Sequence, residues 1–379
     1  MRPDFFCPRG IPDMSLMRAV FSPSLGRSAA GATRFATNGP RTNTVASRVY
    51  RAATRGAALL GLVLAPAGAL EAQGLTGYNV FTFHDFLMQN TEVNGTLAVG
   101  GNATLSSFAV APNVGGPRPE GVLVVGGTAT LSNGQVNHGH SYFAQAPTGG
   151  ATVLGSQTVG ALPVDFASEY ARLSALSAQY SALDTNATAK VSGNGVWFGG
   201  TNLQANVFTV DASDLIGKGH YNFYAPDDTS SIIINVKGFA GTTLFQWAGF
   251  NLCTVKTNDT QFSGCSQATT DNPGGLASRV LWNFDGVTGD AVSIFGSMTG
   301  AVLAPNVDFT LRWGQHNGDF VAANIDSQTE FYRNAFQGYV PENPQPGIVT
   351  PEPASVALVG FGALTLGLVH RRRRNRATA

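Results

Sequence analysis

The side chains that could do chemistry in this chain are few and scattered. Cys253 and Cys265 are close enough to close a short loop, and Thr254 through Gly264 between them are polar, with little else to hold them. A redox or metal pair would need tighter spacing or more thiols, so the two read as a structural disulfide, with Cys7 left far upstream. His138 and His140 are two apart, a spacing that can put both imidazoles on one strand face. Nothing nearby supplies a third ligand, and His84, His220 and His316 lie elsewhere, so this stretch reads as a loop or turn and no metal ligand is assigned. Asp227 and Asp228, with Asp211 and Asp214 close in sequence, could offer hard oxygens to Ca²⁺, the one cofactor left open, although neither an EF-hand nor a nonapeptide array is present. Trp197, Phe198, Tyr221, Phe223 and Tyr224 would form a sugar-stacking surface if exposed and a core if not.

No catalytic residue is assigned. The chain has no Gly-x-Ser-x-Gly elbow and no His-Glu-x-x-His, and its Gly100-Gly101 and Gly126-Gly127 pairs sit between strand-like runs instead of ahead of a helix. A glycosidase needs two carboxylates at a set separation, which a count of acidic residues cannot supply. The competing class, an extracellular lyase or hydrolase of polysaccharides on a β-helix, would also want basic residues to meet an acidic polymer. Residues 73–350 hold nine Lys and Arg against 19 Asp and Glu, a net charge of −10. The same balance argues against a nucleic-acid partner. Thr128-Ala129-Thr130 is the one Thr-x-Thr that fits the ranks of solenoidal ice binders, and one such motif makes no flat face.

The elements that must position these residues are short. With 46 glycines and only 12% charged residues in 379, neither a coiled coil nor a charge-driven disordered chain is expected. Gly95 through Ser106 aligns with Gly121 through Ser132 at an offset of 26, and Val196 through Gly200 is a weaker echo. Repeats of this period, each too small to bury its own face, are built by stacking. Further strand-like runs fall at Asn206–Val210, Ile232–Val236, Val280–Phe284, Ala291–Phe295 and Gly300–Leu303. One segment departs from this pattern: Phe166, Tyr170, Leu173, Leu176, Tyr180 and Leu183 share one helical face behind Pro163 and a candidate N-cap, Asp165. The fold expected is mainly β, a β-solenoid (β-helix-like) with one long α-helix packed along it; a β-sandwich with two similar hairpins is the alternative.

Both ends read as addresses. Arg48, Arg51 and Arg55 precede the apolar run Ala57–Leu64 and small residues, so 1–72 reads as an extended N-terminus plus a secretory signal (core 48–72), cut by signal peptidase after Ala69 or Ala72. An exported domain at 73–340 and a linker at 341–350 follow. At the other end stand Pro351, Glu352 and Pro353, then an apolar segment at 354–370, then Arg371, Arg372, Arg373 and Arg374. The sixteen residues Ala354–Val369 rise about 24 Å as a helix, a marginal span of the inner membrane with the arginines kept cytoplasmic.

This tail, 351–376, resembles the PEP-CTERM sorting signal of Gram-negative bacteria. The resemblance implies an exosortase as processing partner and an inner-membrane precursor delivered to the cell surface or matrix. Tyr78-Asn79-Val80-Phe81, Leu97-Ala98-Val99-Gly100-Gly101, the Pro163–Leu183 segment, Ile234-Asn235-Val236-Lys237-Gly238, Val280-Leu281-Trp282-Asn283-Phe284 and Leu303-Ala304-Pro305-Asn306 resemble the choice-of-anchor A domain. That resemblance covers roughly 76–338. It implies a non-enzymatic surface or matrix protein with an adhesive role toward exopolysaccharide or surface proteins, and brings no catalytic residues.

Overall fold

The computed structural model describes residues 75–114, 120–238, 243–267, 275–285 and 291–341. The signal segment with Ala69 and Ala72, the Pro351-Glu352-Pro353 motif, the 354–370 segment and the arginine cluster lie outside the described residues. Among the described residues no helix is long and apolar enough to cross a membrane.

The fold is mainly β, dominated by a curled sheet whose pairings run parallel. The repeat explains its local logic. Leu97, Ala98 and Val99 lie beside Leu123, Val124 and Val125, and Ala103–Ser106 beside Ala129–Ser132, so the offset of 26 is the offset between adjacent parallel strands. The two copies are therefore stacked in register and are not two hairpins. The weaker echo at Val196–Gly200 belongs elsewhere, in a separate five-stranded sheet beside His220–Tyr224.

Burial separates two faces. On the first, strands such as Leu97–Val99, Leu123–Val125 and Val280–Asn283 are buried at every position. Parallel strands covered on both sides read as continuous apolar runs. On the second, Ala103 and Leu105 are buried while Thr104 is exposed and Ser106 half-buried, and Ala129, Thr130, Leu131 and Ser132 repeat the alternation. That face is open to solvent.

The stacking order on the covered face does not follow the chain. Parallel pairings link Gln157–Val159, Ser141–Phe143, Leu123–Val125, Leu97–Val99 and Val80–Thr82 in that order. The strand Val80–Thr82 then pairs with Phe320–Tyr332, followed by Ala301–Asn317, Val280–Asn283, Ser231–Lys237 and Ala205–Asp211. The two halves of the domain thus meet through its first and last strands. At this seam the buried carboxylate of Asp319 accepts the N–H of Leu75 (3.0 Å) and of Phe336 (2.9 Å), tying both ends of the domain together.

The helix makes this order possible, because the chain must travel from Val159 at one end of the stack to Ala205 at the other. It spans Phe166–Ser181, with the Asp165 carboxylate accepting the N–H groups of Ala167 and Ser168. These bonds hold the Asp165 carboxyl below its ordinary value, its hydrogen bonds with Ser168 contributing most. Sixteen residues rise about 24 Å, the width of roughly six strands. Leu173 and Tyr180 are fully buried against Phe81, Ala98, Ile233, Leu281, Leu303 and Val321, whereas Tyr170 of the expected stripe stays 41% exposed. Two in-register asparagines fasten the helix. Asn283 donates to Asn235 Oδ1 (2.8 Å) and the Ser177 carbonyl (2.9 Å), and Asn235 donates to the Tyr180 carbonyl (2.9 Å).

Candidate functional site

The open face carries the surface that could act on another molecule. Its strands place Thr130, Thr104, Leu87, Asp326, Thr310, Ser293 and Thr243 in one register, a rank across seven strands. At about 4.8 Å per strand the rank is roughly 29 Å long. Beside it a ladder of side-chain hydrogen bonds runs from Thr128 to Asn102 (2.7 Å), Asn102 to Asp85 (3.1 Å) and Asn324 to Asp308 (2.6 Å), with the Asp85 N–H bonded to Asn324 (2.8 Å). These groups fix the edge of the face. Within it, Arg312 grips Asp326 in a two-pronged pair at 2.6 and 3.0 Å.

Thr128-Ala129-Thr130 read alone hides this arrangement, since the rank assembles between strands and not along one. The signal available was the alternation of small hydroxyl residues with buried apolar ones at Ala103–Ser106 and Ala129–Ser132.

A bend in left-handed backbone runs beside the rank, a few residues further along the strands. In one half of the stack it falls at Asn90 (φ 55°), Ser107 (φ 50°) and Asn133 (φ 50°), and in the other at Trp313 (φ 57°), Gly296 (φ 108°) and Trp247 (φ 53°). The polar bend borders an open groove that includes Glu92 and Glu330. Burial, and then a hydrogen bond with Glu330, raises the Glu92 carboxyl above its ordinary value.

Of the aromatic residues that would stack sugars if exposed, most are core. Phe198, Tyr221 and Phe223 are fully buried and pack around Trp282, because alternate positions of their strands point into the interior. Trp197 and Tyr224 are half-buried, the latter against Phe262. Trp247 and Trp313, 66 residues apart in sequence, are instead stacked with ring centres 5.5 Å apart and are 63% and 53% exposed. Sequence reasoning missed them because only the parallel register brings their strands near one another.

The remaining candidates are held apart. Cys253 and Cys265 are disulfide-bonded at the base of the hairpin Val255–Asn258 and Gln261–Ser263. His140 bonds Ser156 through Nδ1 and Thr158 through Nε2 (2.7 Å), and His138 lies in a left-handed turn (φ 40°). The Asp227 carboxylate caps Thr229 and Ser230. Among the described residues no group of three or more His, Cys, Asp or Glu could hold a metal ion, so Asp211, Asp214, Asp227 and Asp228 do not form a Ca²⁺ site together.

Three comparisons bear on this arrangement. The chain is similar to an ice-binding protein from the Antarctic ascomycete Antarctomyces psychrotrophicus, with 15% identity over 56% of this chain and 92% of that one and a TM-score of 0.27. No curated protein matches it. A family model described as "Putative Ice-binding-like adhesive domain" matches residues 71–333, well over half the sequence. The chain belongs to this family of ice-binding-like adhesive domains.

Proposed function

We propose that this chain is an exported, non-enzymatic cell-surface or matrix protein that binds by contact through the open face of a β-solenoid. The observation that carries the reading is the seven-strand rank from Thr130 to Thr243, which repeats shallow hydrogen-bonding groups over a long surface and converges on no single reacting atom. Membership in an adhesive-domain family supports it. The solenoid is the finer description of the curled sheet and rests on its in-register parallel stacking. Leu87, Asp326 and the Arg312 pair interrupt the hydroxyl rank, which favours adhesion to polymer or protein over a lattice of ordered water.

Export rests on the sequence ends: a signal segment cut after Ala69 or Ala72, then the 351–376 tail as an exosortase substrate passing through an inner-membrane precursor. Intact mass of the envelope and medium forms tests this. New termini near residue 70 or 73 and near Pro351 are expected; an unprocessed chain in the cytosol contradicts it.

The face itself is tested by Thr104→Tyr with Thr310→Tyr, exposed and half-buried positions where a larger ring disturbs contact without entering the core. Retention of the full chain on matrix material should fall at least about tenfold, with unfolding free energy shifted by no more than surface substitutions usually cause, about 0.5 kcal/mol. Unchanged retention would move the binding surface elsewhere.

A further inference from the structure

We propose that Trp247 and Trp313 form the saccharide-binding platform of this surface, taking the pyranose rings of a neutral polysaccharide. The inference rests on the surface-binding reading above and adds to it a site and a ligand class. Three observations converge on the pair.

The first is exposure. Two indoles left 63% and 53% in solvent form an apolar patch whose burial is favourable, and such patches mark interaction sites. Phe295, half-buried, extends the platform with its ring 5.7 Å from that of Trp313.

The second is strain. Both tryptophans occupy the left-handed region, which is strained for a bulky residue, while the same bend elsewhere in the stack uses Asn90, Ser107 and Asn133. Nothing in the fold demands tryptophan there. The surroundings nonetheless hold the conformation: the Thr329 hydroxyl donates to the Trp313 carbonyl at 2.7 Å, and the Trp247 N–H donates to the Phe295 carbonyl at 2.7 Å. The strand between the two turns at Gly296, where a Cβ would come within 3.3 Å of the Trp247 backbone and 3.5 Å of its ring. The absent side chain lets the indoles meet across it.

The third is the company the rings keep. Gln246, Phe295, Arg312 and Gln328 share one register beside the bend, so planar amides and a guanidinium border the aromatic surface. Pyranose rings present C–H groups on their faces and hydroxyls around their edge, and this pairing of π surface with planar donors matches both. Charge selects the polymer. Arg312 is already neutralised by Asp326, and the net charge of −10 over residues 73–350 repels an acidic chain.

The test uses the full chain with Trp247→Asn, Trp313→Asn and the double variant. Asparagine tolerates left-handed backbone, so these variants should melt no lower than the parent, which separates lost binding from lost folding. The probes are cellohexaose, mannohexaose, the acidic polymer alginate, and vesicles of phosphatidylethanolamine with phosphatidylglycerol. A neutral hexaose should perturb indole fluorescence in the parent, and its affinity should drop at least tenfold in the double variant. Hexaose affinity that survives in the double variant, or no response to either neutral hexaose, would overturn the platform. So would exclusive binding to alginate or vesicles, or loss of a parent dimer as the main effect of the variants. None of these results touches the contact-binding reading, which fails separately if the full chain releases shortened sugar products.

Discussion

Two buried titratable residues sit three apart at the seam between the halves. Burial pushes the His316 imidazole down to about 3, with its ring packed against Phe320 and Phe331. Burial also pushes the Asp319 carboxyl up to about 7, against the opposing pull of the Phe336 and Leu75 amides and of Arg333. The signs differ. The unfolded His takes a proton below about 6.5 that the folded one refuses, so its contribution to stability is lost as pH falls from 6.5 toward 3. The folded Asp319 holds a proton that the unfolded one has released, so its contribution grows as pH falls from 7 toward 3.8. Between pH 4 and 6.5 the two oppose, each with a slope of up to about 1.4 kcal/mol per pH unit. Relative to the parent, Asp319→Asn should lose stability on acidification through that window, and His316→Gln should gain it. Urea unfolding at pH 4.5, 5.5 and 6.5 measures this, and parallel pH profiles for all three proteins would show the assignment to be wrong. None of it was legible in the sequence, where His316 was one scattered histidine and Asp319 one acidic residue of many.

Elements were more legible than their neighbours in space. The helix could be read from its stripe and N-cap because both are local, and it ends within two residues of Leu183. The strand runs could be read from alternation, and the offset of 26 proved to be a pairing register. The order of stacking could not. A hydrophobic pattern states which face a strand buries but not which strand lies beside it, so the pairing of Val80–Thr82 with both Leu97–Val99 and Phe320–Ala322 has no local signature. Asn235 and Asn283 show what such distant pairing achieves, since they stood in the sequence as parts of two family-like blocks and in space form one buried link to the helix. Asn283→Ala leaves the Ser177 carbonyl and Asn235 Oδ1 without this donor, at a cost of about 1–3 kcal/mol. Leu173→Ala should cost about 2–5 kcal/mol by opening a cavity beneath the same helix. Denaturant titration with unchanged midpoints in both variants would mean that the helix is not docked as described.

At the scale of the whole molecule, one face is closed by a helix and the other left open. The closed face consumes apolar area and buried amides for stability; the open one offers a rank of small polar groups flanked by two strained tryptophans. The in-register repeat conveyed a mainly β stacked domain, but not the working surface, because the rank draws on strands from residue 87 to residue 326. Function by contact is the central claim, and it is tested most directly by a mass balance on matrix polysaccharide incubated with the full chain. Saturable retention of the protein is expected, with the polymer's length distribution unchanged at every time point. Shortened or unsaturated sugar products accumulating in proportion to protein and time would contradict it.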